Sequence, residues 1–325
     1  MRNNNSGKSQ KNNKSSRIHY KETNLMFDES DFIDYSEMCP ICESTKRKRL
    51  AQLENSVIWF FECNDCYTVS ASHYPTDAAI SRLYSSFYSE NLVHDSEGVT
   101  HDDASGLAKH INDKISSLLG PNVSILDYGG GSGDISYRIA KLLIDREGVE
   151  KIDILIVDFN EEHSVISNDK RIDFKRIHPN SFISEDKVIY DIIIASAVLE
   201  HEFFAGKLMS LLFSKMSSTG YIYIRVPYIM PIYLLLSKIG IKIDIGFPAH
   251  LHDFSKRFFD NLPTVLNLQN LEVVISQPAD FQYSFRKHFT KALFSRLIRL
   301  PYYLSKSYPY VGSWEVIYHK KVTFT

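Results

Sequence analysis

An open, mostly parallel α/β sheet preceded by a small cysteine-bound module is the fold class that the sequence predicts, and three observations predict it. From Pro121 onward, short apolar runs alternate with helical patterns: VSILDYG, DISYRIAKLLIDR, IDILIVD, DFKRIH, YDIIIASAV, a helix near 205–217, and GYIYIRVP. Strand and helix alternating in this way mean parallel strands joined by helical crossovers. The first of these strands runs straight into a glycine cluster, which marks a ligand turn. The only four cysteines, Cys39, Cys42, Cys63 and Cys66, form two C-x-x-C pairs with none left over. At 325 residues, 44% hydrophobic and 23% charged, the chain suits two domains or one large domain with an appendage. The same composition excludes a wholly disordered, collagenous or coiled-coil protein.

Taken in order, residues 1–33 are predicted to be a disordered tail. Its first 24 residues carry six basic side chains and one acid among Asn, Ser and Lys, a composition that solvates rather than packs. The opening, MRNNNSGKSQKNNK, has no apolar core of the kind a secretory signal needs, so a cytoplasmic location is expected. Residues 34–75 are predicted to be a zinc ribbon. The knuckles CPIC and CNDC flank VIWFFEC, whose β-branched and aromatic residues favour a strand. So small a unit cannot bury an adequate core, and four thiolates on a structural Zn2+ supply the missing folding free energy.

Residues 76–117 form a helical connector. Ile80, Leu83, Tyr84, Phe87 and Tyr88, then Leu107, Ile111 and Ile115, recur at helical spacing on either side of a polar break, HDSEGVTHDD. Residues 118–325 hold the α/β sheet. The apolar run from Val226 to Leu236 is followed by Lys238 and falls short of the roughly 20 residues of a membrane span.

Net charge decides one function class. Lys plus Arg number 37 against 39 for Asp plus Glu, so no global field attracts a phosphate backbone and a large nucleic-acid footprint is disfavoured.

The glycine turn carries the most information. Glycines admit positive φ and let a ligand approach the backbone, while the helix that follows offers unpaired N–H groups. A dinucleotide fingerprint, G-x-G-x-x-G, fails, because Asp134 stands where its third glycine belongs; no G-K-[ST] follows for a P-loop either. The sequence instead has Asp127 followed by Gly129, Gly131 and Gly133. Carboxylates at both edges of the turn suit a ligand with an ammonium and a sulfonium better than a pyrophosphate. Asp158 ends the second strand, where an α/β fold uses an acid to accept hydrogen bonds from ribose hydroxyls.

D-x-G-x-G-x-G at 127–133, the acid at 158 and the strand DIIIASAVLEH from Asp191 to His201 together resemble a class I S-adenosylmethionine-dependent methyltransferase with its Rossmann-like sheet. The resemblance covers about 200 residues. It implies that Gly129, Gly131 and Gly133 pack against the methionine part of S-adenosylmethionine, that Asp127 lies near its ammonium and that Asp158 holds its ribose. In HPNSF the usual Asp beside the adenine amino group is missing, and Asn180 or Ser181 stands in its place. A narrower resemblance rests on the CPIC knuckle, the Tyr84–Tyr88 helix, V-L-E-H at Val198–His201 and A-H-L-H-D-F-S at Ala249–Ser255. These are similar to bacterial methyltransferases of polysaccharide and deoxysugar biosynthesis, which implies a small acceptor, a nucleotide- or lipid-linked sugar. The pattern departs in length from the sugar C-methyltransferases, which resemble this chain but carry a longer C-terminal domain.

Methyl transfer from a sulfonium is an in-line displacement, so holding donor and acceptor in line supplies much of the catalysis. A base is required only where the acceptor must lose a proton. His201, after the fourth strand, is the first candidate and Glu200 beside it the second. His250 and His252 alternate, so an extended segment would point both the same way, as metal ligands or acid/base groups beside Asp253; the resemblance makes the segment a lid on the acceptor side. Tyr228 is a further acceptor-side candidate. The apolar stretch Val226–Pro248 and the basic segment beginning at Phe285 admit two readings, peripheral contact with a membrane face or a helix packed on the sheet with its basic face in water. Two other function classes stand beside this one. An RNA base methyltransferase would show salt-dependent RNA retention, and a non-catalytic zinc-ribbon interaction protein would give no methylated product.

Overall fold

The computed structural model describes residues 17–20, 24–54, 56–89, 104–115, 119–159, 169–183, 188–241, 243–279 and 289–321. The N-terminal part runs β1 (Arg17–Tyr20), β2 (Leu25–Asp28), β3 (Phe32–Asp34), β4 (Arg47–Gln52), β5 (Trp59–Cys63), β6 (Val69–Ala71) and β7 (His73–Pro75), then the helices α1 (Asp77–Ser89) and α2 (Ala104–Ile115). The remainder begins with β8 (Asn122–Tyr128), α3 (Asp134–Glu147), β9 (Lys151–Val157), β10 (Ile172–Ile177), α4 (Pro179–Ile183) and β11 (Tyr190–Ser196). It continues with α5 (Ala205–Ser214), β12 (Met216–Tyr228), α6 (Met230–Lys238), β13 (His252–Asp253), α7 (Lys256–Val265), β14 (Leu271–Gln277), α8 (Phe289–Leu304) and β15 (Gly312–Lys320).

Seven strands form the central sheet in the order β10-β9-β8-β11-β12-β15-β14. The first five are parallel, as the alternation of apolar runs and helices predicts; β15 is antiparallel to both of its neighbours. Each parallel strand splits its apolar side chains between two layers, since successive residues point to opposite faces. On one face Ile125, Ile154, Ile156, Ile192 and Ile194 pack against α2 and α3. On the other, Leu126, Leu155, Val157, Ile193 and Ala195 pack against α5, α7 and the cysteines. The chain order reverses between β8 and β11. Open α/β sheets bind ligands at such a point, outside the carboxyl ends of the strands.

The cysteine-bearing region differs from its expected form in two ways. The tail expected over residues 1–33 instead contains β1, β2 and the start of β3 among its described residues, and Ile18, Tyr20, Phe27 and Phe32 are buried. The alternation in RIHY and the apolar residues of LMFD give the physical reason: they supply one buried face, which packs with Phe60, Phe247 and Leu251. Residues 1–16 of that tail lie outside the described residues. The ribbon at 34–75 is also not closed on itself, because its sheet has the order β13-β6-β5-β4 and takes β13 from the C-terminal half. The expected connector appears as α1 and α2, and the polar break at 94–103 lies outside the described residues.

A single glycine shows how tightly the halves meet. A Cβ on Gly206, in the first turn of α5, would lie 2.1 Å from the Ile41 carbonyl oxygen of the first knuckle. Gly206→Ala therefore forces two backbones apart although alanine is the better helix former. We expect a melting temperature lower by roughly 2–8 °C from about 1–3 kcal/mol of overpacking. An unchanged melting temperature would show that this contact is not made.

Candidate active site

The glycine turn joins β8 to α3 at the sheet's ligand edge. Gly129, Gly131 and Gly133 all have positive φ, between 53° and 83°. At Gly131 nothing lies within 4 Å of the place a Cβ would occupy, so only its left-handed backbone (φ 53°) and the open approach above it call for glycine. Gly130, which the motif treats as a spacer, is constrained by packing: a Cβ there would lie 2.5 Å from Cγ of Asp127. The sequence motif could not show this, since it depends on where the Asp127 side chain turns.

Asp127 is 2% exposed and accepts a hydrogen bond from the Ser136 hydroxyl at 2.7 Å. Burial pushes its carboxyl up to about 6, against the lowering effect of Ser136. The side chain thus lies beneath the turn and braces it. Asp158 accepts a hydrogen bond from the Gly131 N–H at 2.8 Å, and the Arg176 guanidinium donates to the Gly131 carbonyl at 2.7 Å. The carboxyl ends of β9 and β10 therefore clamp the turn that ends β8. Arg176 was not among the sequence candidates; its place at the end of β10 was the available signal.

An aromatic shelf lies beside Asp158. Tyr84 of α1 stacks on Phe159 with ring centroids 5.2 Å apart, and His178 meets the same Phe159 edge-on at 5.2 Å. Asn180 is exposed in the first turn of α4, its N–H donating to His178 Nδ1 at 3.2 Å. Asp158, Phe159, His178 and Asn180 are thus brought to one edge. Phe159 and His178 were missed, and an aromatic residue immediately after the acid was the signal that marks them.

The second wall follows β11. Val198 packs on the turn, since a Cβ on Gly129 would lie 2.7 Å from Val198 Cγ2. Ala197 is held at φ 56°, a left-handed conformation that costs a non-glycine residue about 1–2 kcal/mol and bends the chain sharply after β11. The bend delivers Glu200 and His201. His201 Nδ1–H donates to the Ala249 carbonyl at 2.8 Å, which leaves Nε2 as an acceptor 3.9 Å from Glu200 Oε1. Glu200 is fully buried, and neither carboxyl oxygen has a hydrogen-bond partner among the described residues. Burial raises its carboxyl to about 8, with Arg225 opposing the shift. The His250 ring lies 4.9 Å from the His201 ring, and one polar atom from each of Glu200, His201 and His250 falls within 4.8 Å of the others.

His252 does not join them. Its Nδ1 accepts from the Ser70 hydroxyl at 2.9 Å, and its Nε2–H is shared between the Glu202 and Phe203 carbonyls at 3.0 Å each. The alternation expected of an extended segment fails because β13 is only two residues long. Burial lowers both histidines to about 4, so both are neutral near pH 7. Asp253 accepts from the Ile229 and Met230 N–H groups and caps α6 rather than facing His250 as a ligand. Tyr228 is partly buried, and burial raises its phenol above the usual range.

The four thiols meet on the same side of the sheet. Cys39 Sγ lies 3.6 Å from Cys66 Sγ, Cys42 Sγ lies 3.6 Å from Cys63 Sγ, and all four fall within 4.8 Å of one another. Tetrahedral sulfurs at about 2.3 Å from a zinc ion stand about 3.8 Å apart, so the donor set fits Zn2+. Each knuckle ends in the same way, with a left-handed residue after its second cysteine: Glu43 at φ 60° and Tyr67 at φ 63°.

No protein-family model matches this sequence, and no curated protein matches it. Solved structures do resemble it in shape. The plantazolicin methyltransferase BpumL, in complex with a monoazolic desmethylPZN analog and SAH, shares 17% identity over 74% of this chain and 94% of its own, with a TM-score of 0.47. The [4+2]-cyclase SpnF shares 13% over 77% and 98%, at 0.44. The 1,6-didemethyltoxoflavin-N1-methyltransferase of Burkholderia thailandensis shares 13% over 84% and 100%, at 0.41. The strand order decides the fold class. The sheet is Rossmann-like, of the class I methyltransferase kind. Its five parallel strands agree with the alternation of elements, whereas the antiparallel β15 inserted beside β12 was not among the expectations.

Proposed function

We propose that this chain is an S-adenosylmethionine-dependent methyltransferase with a structural zinc site. The observation that carries the reading is the pairing of two walls at the carboxyl ends of β8 and β11: a glycine turn clamped by Asp158 and Arg176, and a bend that presents Glu200, His201 and His250. When bound, the cofactor supplies an electrophilic methyl on a sulfonium. Gly131 leaves room for it, Asp158 accepts from its ribose, and the Phe159 shelf with Asn180 receives its adenine. Asp127 acts at its ammonium through the turn it supports.

On the acceptor side His201 takes the proton at Nε2, because Nδ1 is committed to Ala249. Glu200, 3.9 Å away, stabilises the imidazolium that results. The acceptor is a small molecule carrying an acidic O–H, N–H or C–H group, and the V-L-E-H and A-H-L-H-D-F-S motifs favour a nucleotide- or lipid-linked sugar. Cys39, Cys42, Cys63 and Cys66 hold zinc, and the ion's contribution is to fold the wall behind the acceptor loop.

Calorimetric titration with S-adenosylmethionine, S-adenosylhomocysteine and NAD tests the donor site. Binding of the first two and not of NAD is expected. A protein that binds neither at micromolar concentration would remove the cofactor assignment.

A further inference from the structure

Helix α8 turns a line of leucines outward. Leu293, Leu297, Leu300 and Leu304 are 41%, 56%, 57% and 89% exposed. Their spacing of four, three and four residues places them within about 60° of arc at 3.6 residues per turn. Tyr302 and Arg299, on the other side of the same helix, are buried, and Arg299 Nε–H donates to the Val311 carbonyl. Among the residues of this helix whose burial is described, Arg299 and Tyr302 are turned inward while the leucine stripe faces solvent. An exposed apolar stripe of this kind marks an interaction surface.

The charge carried by the helix and its flanking sequence has one sign, and Asp260 of α7 is the acid near enough to act on Tyr302. From 281 to 314 the sequence contains no acidic residue and six basic ones: Arg286, Lys287, Lys291, Arg296, Arg299 and Lys306. Arg286 and Lys287 lie outside the described residues. Arg296 and Lys306 are exposed, and Lys306 lies over the rings of Tyr302 and Tyr303. Tyr303, 70% exposed, adds an aromatic residue of the kind that settles at a lipid headgroup boundary. No helix among the described residues is long and apolar enough to cross a membrane.

We propose that α8 is a membrane-surface helix, which lies flat on an anionic lipid face with Leu293, Leu297, Leu300 and Leu304 in the acyl boundary and the flanking lysine and arginine side chains on the headgroups. A second copy of the chain is the competing occupant, since the same spacing suits a helix pair. Charge decides between them. Two acid-free basic helices repel, and four leucines from each copy bury less than the roughly 1,200 Å² of a stable interface. The inference rests on α8 alone and is independent of the methyl-transfer reading.

Flotation of the full-length protein with phosphatidylglycerol/phosphatidylcholine vesicles tests it. Co-flotation is expected at low salt, at least tenfold reduced on pure phosphatidylcholine, and at least tenfold reduced for Leu297→Glu/Leu300→Glu. Leu304→Glu, at a site 89% exposed and so safe for folding, should reduce it severalfold with an unchanged melting temperature. Absence of co-flotation at low salt would overturn the proposal. So would equal binding by the variants, or a wild-type dimer in light scattering that Leu304→Glu converts to monomer.

Discussion

Removal of the proposed zinc, by chelation or by Cys63→Ser, is expected to unfold the N-terminal half and abolish the proposed methyl transfer together. Structural zinc in small domains contributes about 10–16 kcal/mol, as much as the whole stability of an ordinary domain at about 5–15 kcal/mol. The loss cannot stay local. Cys39, Cys63 and Cys66 belong to the same buried cluster as Leu199, Ala205 and Met209 beside the acceptor loop. Strand β6 pairs with β13, the Ala71 N–H donates to the Leu251 carbonyl, and the Leu251 N–H donates to the Glu200 carbonyl. His252 completes a second path from Ser70 to the carbonyls of Glu202 and Phe203. Elemental analysis should find one zinc per chain, and circular dichroism should show a cooperative loss of strand signal on chelation that zinc restores. A metal-free preparation with unchanged melting and turnover would refute the role of these cysteines.

His201→Ala is expected to lower turnover by about 10²–10⁴-fold, the usual contribution of a positioned base, while leaving S-adenosylmethionine affinity within about twofold. The separation follows from geometry. In the proposed arrangement the cofactor lies against Gly131, Asp158 and Phe159, with Asp158 bound to the Gly131 N–H, whereas His201 is held by Ala249 on the other wall. Loss of cofactor binding in the variant would place His201 on the wrong wall.

Glu200→Gln carries a second readout. Burial raises the Glu200 carboxyl from an ordinary 4.5 to about 8, so turnover should climb with pH to a midpoint near 8, and this limb should vanish in the variant. The stability effect has a definite sign. The unfolded chain releases the proton above about 4.5 and the folded one only above about 8. The stabilisation is thus complete below 4.5 and is lost as pH rises through 8, at about 1.4 kcal/mol per unit of difference. Asp253, raised to about 7, and Asp127, raised to about 6, act in the same direction and persist in the variant. Wild type should therefore lose more melting temperature between pH 5 and 9 than Glu200→Gln does. Equal losses would mean that Glu200 is not buried without a partner.

Much of the wall built on the glycine turn was legible in the chain. Periodicity located the five parallel strands, and the glycine spacing with Asp127 and Asp158 fell where the sheet has its ligand edge. A glycine at positive φ or an acid at a strand end is required by local backbone geometry, which a short stretch of sequence records. The N-terminal strands were hidden for a compositional reason: the Asn- and Lys-rich start dominated the reading, although Ile18, Tyr20 and Phe27 already had the spacing of a buried face. The roles expected of His250 and His252 also came apart, because two residues of β13 are too few to impose an alternating direction.

By itself, then, the sequence determined the α/β class, the turn at 127–133 and the grouping of the four thiols, since each depends on residues close together in the chain or on two paired C-x-x-C motifs. Tertiary structure alone decided that Gly130 must lie on Asp127, that Arg176 clamps Gly131, and that Glu200 is buried between His201 and the segment 249–253 with no hydrogen-bond partner for its carboxyl among the described residues. It also decided that β13 completes the cysteine-bearing sheet and that the leucines of α8 face outward. These are contacts between segments distant in sequence. Their direction is set by packing the two layers against one sheet, and no local pattern of residues encodes it.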